Sequence, residues 1–87
     1  MIVLSIPELN GYNFHFAGEL NVNHMRAREY VASKDGESVD RFHVFFAGGE
    51  WNAWTADSLS ETTIRIRRTF AAALTGSERA AASPPAV

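Results

Sequence analysis

The chain contains no cysteine. That absence excludes disulfides, thiolate metal sites and cysteine nucleophiles, and it fits a cytoplasmic setting. Long hydrophobic runs are missing as well. The opening apolar stretch of MIVLSIPELN ends at Ile6 and carries no basic residue, so it is too short for a membrane span and lacks the flank of a secretory leader. Charge of one sign is not in excess: Lys and Arg number 8, Asp and Glu 10, for a net charge of −2. Nothing at the level of the whole molecule advertises nucleic acid or an anionic membrane. Reaction motifs are absent too. His15, His24 and His43 show neither HxH nor HExxH spacing, and no serine sits in GxSxG. GGE and DGE do not lead into a helix carrying a phosphate-loop lysine. We expect no catalytic residue, no metal ligand and no cofactor, and so a protein that is not an enzyme.

What is present suits one small domain. Of the 87 residues, 46% are hydrophobic and 21% charged, ordinary proportions for a globular fold. The tail SERAAASPPAV has no large apolar residue before Val87 and cannot offset its ordering entropy by burial. The domain is therefore expected over residues 1–76, with residues 77–87 a flexible tail that a short helical extension through residues 78–82 could begin.

Glycine pairs punctuate the middle of the chain. RFHVFFA-GG-EWNAWTA is two apolar-rich runs joined by Gly48–Gly49, a dipeptide that accepts the positive φ angles of a two-residue hairpin turn. That turn sets Ala47 opposite Glu50, Phe46 opposite Trp51, Val44 opposite Ala53 and Phe42 opposite Thr55. Alternation then places His43, Phe45, Asn52 and Trp54 on the other face, with His43 across from Trp54.

A second hairpin is expected at REYVASK-DG-ESVDRF, whose Asp35–Gly36 is among the strongest short-range turn signals. Its two-residue turn pairs Lys34 with Glu37, Val31 with Asp40, Tyr30 with Arg41, Arg28 with His43 and Arg26 with Phe45. The core face would then hold Met25, Ala27 and Val31 beside Phe42, Val44 and Phe46, with Glu29 its one awkward member. The opposite face would gather Arg26, Arg28, Tyr30, Arg41, His43, Phe45 and Trp54. A helix over residues 24–34, capped by Asn23 and ended by Gly36, competes with the strand. Its apolar residues scatter round the helical wheel, whereas alternation keeps them together.

The rest follows from local signals. MIVLSI and GYNFHFA read as two further strands, and residues 18–23 as a connecting loop. TTIRIRRTFAAALTG reads as a helix. Leu59, Thr63, Ile66, Phe70, Ala73 and Leu74 share one stripe, Asp57, Ser58 and Ser60 offer N-cap oxygens, Ser58 and Glu61 have capping-box spacing, and Gly76 stands where a C-terminal cap belongs. Arg65 and Arg68 point away from that stripe, and Arg67 lies at its edge. The expected fold is α+β: a meander-like antiparallel sheet of about five strands with one long C-terminal helix on one face.

A face rich in Arg, Tyr and Trp suits protein recognition, because those residues dominate interface hot spots. The leading functional expectation is an inhibitor or adaptor whose protein partner belongs to a larger, nucleic-acid-processing complex. Small phage or mobile-element proteins, anti-CRISPR and antitoxin-like proteins among them, are of this size and plainness. Single-stranded nucleic acid is the second expectation, with rings stacking bases and arginines meeting phosphates. The run REYVASKDGES, residues 28–38, followed by more strand and a terminal helix, resembles the ββββα modules of the PC4 and Pur type. That resemblance implies nucleic-acid binding on the sheet, but the chain departs from it in its acidic balance and lack of lysine-rich strands. A homodimer that covers the face with a second copy is the third expectation.

Overall fold

A computed structural model of the chain describes residues 6–82. Four antiparallel strands follow one another in a meander: β1 (Tyr12–Val22), β2 (Met25–Lys34), β3 (Glu37–Ala47) and β4 (Glu50–Ala53). One long helix, α1 (Glu61–Ala82), packs on the sheet, and a short 3-10 turn, Pro7–Leu9, precedes the first strand. This is the α+β architecture expected, with four strands among the described residues. Of the strand expected at MIVLSI, residues 1–5 lie outside the described ones, and Ile6 precedes the 3-10 turn without pairing in the sheet. Residues 25–33 are extended, so the strand reading holds over the helical one.

All three hairpins close with two residues at positive φ, the geometry whose twist matches that of the flanking strands. Gly48 and Gly49 (φ 63° and 81°) and Asp35 and Gly36 (53° and 80°) turn where expected. The third turn is Asn23–His24, at 50° and 64°. Residues 18–23 are therefore not a loop. β1 runs unbroken to Val22, and Val22 pairs with Met25. Asn and His are among the few non-glycine residues that enter the left-handed region readily, which makes this dipeptide a usable turn.

The β3–β4 register agrees with the sequence from Ala47–Glu50 to Val44–Ala53. The strand stops there, so the expected pairings of Phe42 with Thr55 and of His43 with Trp54 do not form. The β2–β3 register departs from expectation. Lys34 opposes Glu37 and Ser33 opposes Ser38, but Ala32 then opposes Asp40, leaving Val39 as an unpaired extra residue. This β-bulge moves every later pair by one: Tyr30 meets Phe42, Glu29 meets His43, Arg28 meets Val44 and Ala27 meets Phe45. A one-residue slip exchanges the two faces of a strand. Tyr30 and Ala32 thereby enter the core, and Glu29 avoids burial under the helix.

The core lies between the sheet and α1. Phe42, Val44 and Trp51 meet Ile66, Phe70, Ala71 and Leu74, with Tyr30, Ala32 and Leu9 completing the cluster. Each large apolar side chain buried this fully contributes about 1.5–3 kcal/mol. The helix is capped by Ser60, whose Oγ accepts a hydrogen bond from the Thr63 amide at 3.2 Å; the expected Ser58–Glu61 box is not the cap. Gly76 does not end it either. α1 continues through Gly76 to Ala82, so the extension through residues 78–82 is helical. Thr75 fastens the helix to the edge strand: its Oγ1 accepts from the Trp51 amide at 2.7 Å and donates to the Ala71 carbonyl at 3.0 Å.

The bulge carries its own test. Deleting Val39 joins Ser38 directly to Asp40, which restores a regular ladder and leaves every other pair unchanged. Val39 is half exposed, so little burial is lost. The deletion variant is expected to fold and to melt within roughly 4–8 °C of the parent, equivalent to about 1 kcal/mol. An unfolded variant would mean that the extra twist of the bulge is indispensable to the sheet.

Candidate interaction surface

Strand alternation together with the register sorts the side chains into two faces. The face under α1 carries Phe14 and Phe16 from β1, Arg26, Arg28, Tyr30 and Ala32 from β2, Asp40, Phe42, Val44 and Phe46 from β3, and Trp51 and Ala53 from β4. The opposite face carries Leu20 and Val22, then Met25, Ala27, Glu29 and Val31, then Arg41, His43 and Phe45. Among the described residues, no element crosses this second face.

The seven residues expected to share a surface are therefore divided. Arg41, His43 and Phe45 lie on the open face. Arg26, Arg28 and Tyr30 lie on the helix side, inverted by the bulge. Trp54 follows the last paired residue of β4 and is 65% exposed. The single basic–aromatic face does not form.

The helix-side group has a structural part. Tyr30 is buried, with its ring 4.6 Å from that of Phe70, and burial raises its phenol above the ordinary value. Arg28 lies over the Trp51 ring at 4.5 Å and donates to Glu78 at 2.7 Å and Glu19 at 3.4 Å. Arg26 donates to the same Glu19 at 3.1 Å. Hydrogen bonds from Arg26 and Arg28 hold the Glu19 carboxyl below the usual carboxylate range. These guanidiniums are neutralised within the chain. Arg67 is likewise engaged, by Asp40. The indole Nε1 of Trp51 is buried without a hydrogen-bond partner among the described residues.

The open face is built differently. At its centre Glu29 accepts from Arg41 and pairs with His43 Nε2 at 3.0 Å. The His43 contact, then that of Arg41, lowers the Glu29 carboxyl. Toward the end formed by the β1–β2 turn the face is apolar: Met25 is exposed, Leu20, Val22 and Phe45 are half-buried, and Ala27 is fully buried. Since no described element crosses Ala27, its taller neighbours must close over it. Gly18, beside Glu29 at the bulge of β1, adds a second low point. Leu20, Val22, Met25 and Glu29 did not stand out as site residues in the sequence. A usable signal existed in Glu29, because a carboxylate on an expected core face marks an inverted strand.

Among the described residues no group of three His, Asp or Glu side chains could hold a metal ion. No helix there is long and apolar enough to cross a membrane. Comparison with protein-family models, curated proteins and solved structures finds no match.

Proposed function

We propose that this chain is a non-enzymatic protein-binding protein, an inhibitor or adaptor, that engages its partner through the open face of its sheet. One observation carries the reading: a ring, two aliphatic side chains and a methionine stand together on a face that no described element covers. An apolar centre bounded by fixed polar groups is the usual anatomy of a protein interface. Phe45 is its aromatic anchor, and Glu29, Arg41 and His43 form the polar boundary. A partner from a nucleic-acid-processing complex of the phage or mobile-element kind remains part of this proposal.

Single-stranded nucleic acid is the weaker reading. The ββββα order of the described elements suits it, but Arg26, Arg28, Arg41 and Arg67 each donate to carboxylates of this same chain. A phosphate would have to displace those carboxylates first.

The test is a capture experiment on three proteins: the parent, Met25→Asp/Phe45→Asp on the open face, and Arg65→Glu/Arg68→Glu on the exposed side of α1. The parent is expected to retain its partner after nuclease treatment and with little response to salt. The open-face variant is expected to lose it, and the helix variant to keep it. Capture that vanishes with nuclease or falls steeply with salt, or that survives the open-face substitutions, would overturn the proposal.

A further inference from the structure

We infer that the open face is complementary to itself and that a second copy of the chain covers it. This rests on the reading of that face as the interaction surface, and it adds the identity of its occupant in the absence of another partner. The register carries the argument. Across the β2–β3 seam the face presents two successive pairs, Ala27 beside Phe45 and Glu29 beside His43. Each joins unlike members, one small with one large, one acid with one base. A two-fold axis running along the strands between β2 and β3 exchanges the members of each pair. Phe45 of one copy then stands over the apolar side chains that close over Ala27 of the other, and Glu29 stands over His43.

The same operation keeps the apolar end on the apolar end. A two-fold axis across the strands would instead set Met25 and Leu20 against the charged centre. Isologous contacts of the first kind are self-completing, so assembly stops at two copies. Charge agrees. Glu29 and Arg41 cancel within each copy, so the face carries little net charge to repel its twin, whereas a strongly acidic or basic partner gains nothing from it. Size is adequate: strands of 10–11 residues give a patch about 35 Å long and about 15–20 Å wide. Side-chain relief brings that toward the ~800 Å² per partner of a standard interface. Stacked in this way, the copies cover each other's Phe45 and Met25, and any other partner must compete with the twin.

Sedimentation of the full chain over a concentration series tests this. The parent is expected to sediment as a dimer. Phe45→Asp is expected to raise the dimer dissociation constant at least about thirtyfold, the loss typical of a central anchor. Met25→Asp, at an exposed position that leaves the fold undisturbed, is expected to raise it by about tenfold or more. Arg65→Glu/Arg68→Glu should leave it unchanged. A parent that stays monomeric throughout the series overturns the self-pairing, as does a dimer indifferent to both open-face substitutions. The two proposals separate cleanly: a monomer whose nuclease-resistant capture is lost in Phe45→Asp sinks the twin but keeps the face. A Phe45-dependent dimer whose capture ignores the face does the reverse.

Discussion

Phe70→Ala is expected to lower the unfolding free energy by about 3–5 kcal/mol, the cost of emptying a large buried aromatic site. Phe70 is 1% exposed. Its ring stacks on Phe14 at 4.4 Å and meets Tyr30 at 4.6 Å and Phe42 at 5.6 Å edge-on. Those three rings come from three different strands. Removing Phe70 therefore loosens the packing of the helix on β1, β2 and β3 together, and the cavity has rigid rings for walls, which collapse poorly. A domain of this size has roughly 4–13 kcal/mol in total, so the variant stands near the threshold of folding. Thermal and urea unfolding provide the measurement. A loss below about 1 kcal/mol would show that the neighbouring rings close the gap and that the cluster is not the centre of the core.

The second large effect is expected at Asp40. Its carboxylate receives two parallel bonds from Arg67, at 2.8 and 2.9 Å, and Arg67 also donates to the Trp54 carbonyl at 3.2 Å. The side chains are only 12% and 10% exposed. The bond to Asp40 raises the Arg67 pKa, with burial opposing it. Asp40→Ala leaves a poorly hydrated guanidinium against the Phe42 ring without its counter-ion. Breaking one side of such a pair costs about 3–5 kcal/mol. Replacing both members, as Asp40→Leu/Arg67→Met, should recover most of that, since the pair itself must overcome a desolvation penalty. A double-mutant cycle measures the coupling. Additive single losses would mean that water already screens the pair.

Much of the secondary structure is legible in the chain because its signals are local. Gly48–Gly49 and Asp35–Gly36 need no distant contact to turn, and the β3–β4 register follows from the first of them directly. The helix is announced by the spacing of Ile66, Phe70 and Leu74. The misreadings are mostly of two kinds. Asn23–His24 is a local feature of weak signal strength, overshadowed by Gly18, and the capping-box spacing of Ser58 and Glu61 competed with Ser60, the candidate cap that is used. Gly76 has a local preference overridden by a distant one, because helix continuation brings Glu78 to Arg28 on β2.

Composition and local pattern determined the class of the protein: one α+β domain, two of its tight hairpins and a terminal helix. They could not determine which side of β2 faces that helix, and the binding surface depends on it. The orientation of a strand is decided by adding or omitting one residue, here Val39, and no local preference of Val39 asks for a bulge. The choice belongs to the packed state. There, Tyr30 and Ala32 fit beneath Phe70, Arg28 stacks on Trp51, and Glu29 reaches solvent beside Arg41 and His43. Those contacts exist only once strands far apart in the chain and the helix have come together.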